Sequence, residues 1–123
     1  MLPLSEAGVD IFHCSQRRFW EPEFEGSDLN LAGWTRKITG KPAITVGSVG
    51  LNADFIPVPG EVTFREAEPA SLDELERRLS DNEFDLVAVG RALISNPSWV
   101  DMIRNDRPDD IKPFRKEHLG QLV

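Results

Sequence analysis

"AITVGSVGLN", residues 43–52, decides how this chain is read. An apolar, β-branched run stops abruptly at Gly47-Ser48-Val49-Gly50. A second run, "FDLVAVGRALISNP" at 84–97, stops in the same way at Gly90-Arg91. Glycines at the end of a buried strand let backbone N–H groups point outward and approach an anion closely. Ser48 adds a hydroxyl donor, and Arg91 adds a planar guanidinium suited to phosphate oxygens. The "ALIS" that follows reads as a short helix whose N-terminal end faces the same anion. Taken singly, either glycine motif is explained by a tight strand-to-helix turn. On successive strands, the two together predict a single phosphate site.

Working outward, three strand-length runs rich in Val and Ile stand between Gly and Pro: "VDIFHCS" at 9–15, "PAITV" at 42–46 and "DLVAV" at 85–89. Polar alternation is weak, as expected for strands buried on both faces of a parallel sheet. Helical patterns separate the runs. "SLDELERRLS" at 71–80 carries Ser71 and Glu74 at the spacing of a capping box, with Leu72, Leu75 and Leu79 along one face. "DLNLAGWTRKITG" at 28–40 aligns Leu31, Trp34 and Ile38, tolerates Gly33 at roughly 1 kcal/mol, and ends at Gly40. "NPSWVDMIRND" at 96–106 offers Asn96 as N-cap and Pro97 at the first helical position.

The order is strand, helix, strand, helix, strand, helix. It predicts an α/β fold with parallel strands joined by right-handed crossovers. "SEAGVDIF" at 5–12 reads as the last turn of a helix, a glycine stop and a strand. Two connections exceed the usual βα loop of about 2–6 residues. Residues 16–27, "QRRFWEPEFEGS", hold Phe19, Trp20 and Phe24, which read as a pocket wall. In residues 51–70, Pro59-Gly60 could turn a small hairpin.

The 123 residues carry a net charge of −7 and are 40% apolar, so a core is expected and disorder is not. The acidic balance argues against a nucleic-acid or anionic-membrane partner, both of which need clustered Lys and Arg. The pairs Arg17-Arg18 and Arg77-Arg78 read as solvated faces. No stretch approaches the ~20 apolar residues of a membrane span, and no signal peptide is visible, so a cytoplasmic location is expected. The single cysteine, Cys14, reads as a buried, inert thiol. His13 reads as structural and His118 as solvated. No metal-ligand spacing occurs.

A strand-end glycine pair on consecutive strands, followed by a short helix, is the phosphate site of many (β/α)8 barrels, built after strands seven and eight. The segments "GVDIFHCSQRRFW", "LAGWTRKITGKPAITVGSVGL" and "FDLVAVGRALISNPSWV", with "PFRKEHLGQL" trailing, resemble the C-terminal third of the old yellow enzyme family of FMN-dependent oxidoreductases. The resemblance covers nearly the whole chain, and "VAVGRALISNP" is its most specific part. It implies that residues 1–123 form the C-terminal (βα)3 portion of a TIM barrel. It also implies that the parent enzyme reduces activated alkenes, with NAD(P)H as hydride donor to the flavin. Carried over, Gly47, Ser48, Gly90 and Arg91 hold the FMN phosphate. The family more often has Gly or Asn where Ser48 stands.

The family's carbonyl-binding His pair or His-Asn pair, its proton-donating tyrosine and its flavin-ring contacts lie earlier in the barrel. This chain has no tyrosine, and His13 and His118 do not match the pair, so no catalytic residue is expected here. Two other readings stay open: a stand-alone phosphate-binding module, and a non-catalytic, self-associating remnant. Three barrel strands leave open edges and an uncovered inner face, on which Ile11, Ile44 and Val87 are candidates. A homo-oligomer, or pairing with a missing N-terminal part, is therefore expected.

Overall fold

The computed structural model describes residues 1–52 and 67–120. The hairpin expected around Pro59-Gly60 lies outside them. The chain divides into two compact units. The first takes Met1–Gly47 and Leu72–Ala88, the second Ser48–Ser71 and Val89–Val123.

The first unit holds the sheet. Strands β1 (Phe12–Ser15), β2 (Ala43–Val46) and β3 (Leu86–Val87) pair in parallel in the order β1-β2-β3. The three β-branched runs thus become strands, though shorter than the runs themselves. The mixed α/β class with parallel pairing agrees with the sequence order. Helix α1 (Leu2–Glu6) precedes the sheet, α2 (Leu31–Thr39) connects β1 to β2, and α3 (Asp73–Ser80) lies in the connection from β2 to β3. Gly8 at φ 107° makes the expected stop between α1 and β1. The Lys41 ammonium spans that stop by donating to the carbonyls of Ser5 and Val9.

Register separates the two faces of the sheet. Cys14 aligns with Thr45 and Thr45 with Val87, while His13 aligns with Ile44 and Ile44 with Leu86. Parallel partners project to the same side. The first row is the covered face: Phe12, Cys14, Ala43 and Thr45 are buried, and Cys14 Sγ lies 3.5 Å from Thr35 Oγ1 of α2. The second row is open. His13 is exposed rather than packed, and Leu86 is 53% exposed. Val87, expected on the open face, belongs to the covered row; Leu86 takes its place beside Ile44.

Helix α2 also turns differently from its apolar pattern. Ala32, Gly33 and Thr35 are its buried residues, whereas Ile38 is 46% exposed. Small side chains allow close approach to the sheet, and the Leu31-Trp34-Ile38 stripe is left on the outer shoulder. There Trp34 meets the Phe24 ring edge at 5.5 Å, and Lys37 lies over its face. The helix starts at Asn30, whose Oδ1 accepts from Gly33 N at 2.8 Å. Asn30 is fully buried, and its Nδ2 donates to the Phe19 carbonyl and to Thr45 Oγ1, binding helix, loop and β2 together. Gly40 ends the helix at φ 68°, as the sequence predicts.

The basic pair in α3 separates. Arg77 stays on the surface. Arg78 is buried, which corrects the expected solvated face. Its Nε donates to Glu74, its Nη1 to Glu83 and the Asp28 carbonyl, and its Nη2 to the Trp20 carbonyl. Hydrogen bonds from Arg77 first, and then from Arg78, hold the Glu74 carboxyl down to about 2. Burial pushes Glu83 in the opposite direction, above the usual carboxylate range. Glu74 is thus engaged by both arginines, and the helix is preceded by Leu72. The apolar face agrees with its pattern, with Leu75 buried and Leu72 and Leu79 half-buried.

Within the loop at 16–27, Phe19 is buried and stands edge-on to Trp20 at 5.3 Å, while Phe24 is 57% exposed. These aromatics are mainly core and surface packing of the first unit, not a common wall.

In the second unit, α4 (Arg91–Ser95) and α5 (Trp99–Arg104) are followed by two 3-10 turns at Pro108–Asp110 and Lys116–Gly120. Ser98, not Asn96, precedes α5. Among the described residues, no helix is long and apolar enough to cross a membrane.

Candidate functional site

The four residues that the sequence singles out fall in both units. Gly47 ends the first and is joined by its peptide bond to Ser48, which begins the second with Gly90 and Arg91.

Gly47 has a physical reason to be glycine. Its φ is 149°, and a Cβ there would fall 2.4 Å from the Gln16 carbonyl oxygen. Its own carbonyl accepts from Phe19 N at 3.0 Å. No side chain fits between this turn and the loop beside it.

Ser48 sits at φ 53°, the left-handed region where Gly and Asn are favoured. Its carbonyl accepts from Leu51 N at 3.1 Å, closing the turn. Gly50 follows at φ 73°, with the Trp99 ring packed where a Cβ would project.

Gly90 is exposed, and a Cβ added to it would meet nothing within 4 Å. The space above its backbone is therefore open. Arg91 opens α4, a single turn of five residues. In so short a helix the full positive charge is that of the Arg91 guanidinium, not of the helix end. Arg91 is half-buried, and its Nη2 donates to Ser48 Oγ at 3.1 Å. The second unit thus brings Ser48 and Arg91 together, as the sequence expects. Gly90 is the immediate neighbour of Arg91.

Two further residues belong to this arrangement and were not singled out in the sequence. The Phe114 ring lies 5.5 Å from Arg91 Cζ and is fully buried. Asn96, read as a helix cap, instead clamps the trailing segment. Its Nδ2 donates to the Lys112 carbonyl at 2.9 Å, and its Oδ1 accepts from Lys112 N at 2.7 Å. Only an aromatic within a charged C-terminal stretch hinted at the first, and nothing in the local pattern gave the second. His118, expected in solvent, is half-buried with Nδ1 2.7 Å from Ser95 Oγ.

Chemically, the arrangement offers a positive, partly desolvated guanidinium, a hydroxyl and an open glycine backbone. These are the donor types that oxyanion sites use. Among the described residues, no group of three or more His, Cys, Asp or Glu could hold a metal ion.

No protein-family model matches the sequence. The chain is similar to a protein named NADH oxidase from Thermoanaerobacter brockii, at 32% identity over 125 residues. The match takes in 95% of this chain and 16% of the relative. The chain therefore spans about a sixth of that protein's length. The similarity agrees with an oxidoreductase connection.

Proposed function

We propose that this chain is the C-terminal, phosphate-holding portion of a barrel in an FMN-dependent oxidoreductase of the ene-reductase type. The observation that supports the reading is the Arg91–Ser48 hydrogen bond, which brings a guanidinium and a hydroxyl from the two strand-end motifs together. The residues fit a phosphate: Arg91 supplies charge and Ser48 a hydroxyl, while Gly90 leaves the approach open. A relative named NADH oxidase supports a nicotinamide-linked redox role for the parent protein.

In this reading Ser48, Gly90 and Arg91 bind the FMN phosphate and so anchor the cofactor at one end. The flavin, when bound, would accept hydride from NAD(P)H and deliver it to an activated alkene. No residue of this chain moves a proton in that reaction, and the chain alone is inactive as an enzyme. Its task is binding and orientation, which lowers the entropic cost of reaction for the cofactor it holds.

Titration calorimetry on the 123-residue chain with inorganic phosphate, FMN and riboflavin tests the reading. Phosphate and FMN are expected to bind comparably, with riboflavin weaker by roughly tenfold or more, since only a phosphate meets Arg91. Riboflavin binding as tightly as FMN would remove the phosphate role. Phosphate binding with FMN excluded would favour a module without flavin chemistry.

A further inference from the structure

The Arg91 side chain is held from two directions. Ser48 Oγ takes Nη2 at 3.1 Å, and the Phe114 ring lies 5.5 Å from Cζ. An aromatic face attracts a guanidinium through its quadrupole and favours a limited range of orientations. We infer that Phe114 is the positioning residue that sets the orientation of the Arg91 guanidinium, with Asn96 fixing the segment that carries it.

The support for Phe114 is built in layers. Phe114 N donates to the Ala67 carbonyl at 2.7 Å and Ala67 N returns a bond to the Phe114 carbonyl at 3.1 Å, a two-bond antiparallel bridge. Two residues earlier, Asn96 makes its pair of bonds to the Lys112 backbone while its Nδ2 also donates to the Ala92 carbonyl. Ala92 is the residue after Arg91, so Asn96 ties the first turn of α4 to the segment leading to Phe114. Asn96 is 2% exposed and Phe114 0%, so both are fixed by packing as well as by hydrogen bonds. The next residue, Arg115, pairs with Glu68 at 2.7 Å. The trailing "KPFR" at 112–115 is therefore a platform, and Arg91 rests on it already oriented. A guanidinium ordered before the anion arrives loses less entropy on binding it.

The inference rests on the phosphate reading for its effect on affinity, but not for the orientation of Arg91 itself. Phe114→Leu keeps an apolar side chain and removes the ring face; Phe114→Tyr keeps the face. Inorganic phosphate is titrated into the full 123-residue chain and both variants, with circular dichroism recorded for each. Phe114→Leu is expected to weaken phosphate binding roughly three- to tenfold, the range of a partly desolvated cation–π contact, with Phe114→Tyr close to wild type. Phosphate affinity unchanged in a folded Phe114→Leu overturns the inference while leaving the phosphate reading intact. A second measurement needs no ligand. In the wild-type nitrogen-proton spectrum, the Arg91 Nε–H resonance, assigned by its loss in Arg91→Lys, should be shifted by the Phe114 ring current and protected from exchange. If it lies at the free-arginine position, the inference is wrong whatever binds. If it is shifted and phosphate does not bind, the positioning stands and the phosphate reading falls.

Discussion

Arg78 donates from Nη2 to the Trp20 carbonyl oxygen at 3.2 Å, across fifty-eight positions of sequence. The same guanidinium reaches the Asp28 carbonyl and Glu83, so one buried cation fastens the loop after β1 to α3 at two points. Removing one partner of such a group leaves carbonyls and a carboxylate without their donor. Arg78→Ala is expected to destabilise the chain by about 3 kcal/mol, the lower end for a broken buried pair because Glu74 is still partly solvated. Arg77→Ala, on the exposed side of the same turn, should scarcely move the urea midpoint. Equal effects from the two substitutions would show that Arg78 is not the fastener.

The contrast between these neighbours marks where sequence reading stops. Strands and their parallel order were legible, because β-branched runs bounded by Gly and Pro have few other uses. Gly40 and Gly8 were legible as stops for the same local reason. Arg78 was not, since its partners are backbone carbonyls whose positions depend on the tertiary fold. Nor was the packing of α2, where Thr35 and Ala32 beat the larger Ile38 for the sheet because closeness mattered more than apolar area. At the candidate site, Ser48 and Arg91 announce themselves by chemistry at strand ends. Phe114 and Asn96 do not, since each acts on a residue that the chain reaches only after folding.

The acid limb of stability should contain a contribution from Glu74. Its folded carboxyl is held at about 2, below the 4.5 of an unperturbed glutamate, so the folded state favours its ionised form. The stabilisation is fully present above about pH 4.5 and is lost as pH falls through about 2. Glu83 acts in the other sense: its raised value contributes at low pH and the contribution is lost as pH rises through that value. Comparing urea midpoints of wild type and Glu74→Gln between pH 2 and 7 isolates the first term. The gap should be constant above pH 5 and should close towards pH 2. A gap independent of pH would assign the effect to packing.

Gly47 should not tolerate a side chain. Gly47→Ala would place a methyl 2.4 Å from the Gln16 carbonyl oxygen and force an L-residue to φ 149°. A cost of about 1–3 kcal/mol is expected, since both strain and collision act. Gly90→Ala, with open space around it, should be much milder. Thermal unfolding of the two variants compares them directly, and similar losses would mean that the Gln16 contact yields easily.

The open sheet face should drive association. Ile44 and Leu86 lie in register there, Leu86 is 53% exposed, and among the described residues β1 and β3 each have one strand neighbour. Unpaired edges beside an apolar face recruit other chains. Light scattering is expected to give a mass above that of one chain, and Leu86→Lys should lower it. A sharp monomer mass with cooperative unfolding in the wild type would show that the face is satisfied within a single chain.

Charge and shape at Arg91 can be separated. Arg91→Ala removes both and should weaken phosphate binding by about 1.5–3 kcal/mol, the range for hydrogen bonds to a charged group. Arg91→Lys keeps the charge and loses the planar fork that can serve Ser48 Oγ and an anion together. It should therefore recover only part of the loss, and its remaining affinity should fall more steeply with salt than the wild type's, because a solvated ammonium attracts mainly through space. Calorimetry at two ionic strengths decides between the cases. If Lys restores binding fully, the site reads charge alone, and the Ser48 bond and the Phe114 ring serve the fold instead. If Ala leaves affinity untouched, the anion is held elsewhere, and Arg91 must be given a structural reason for its half-buried place.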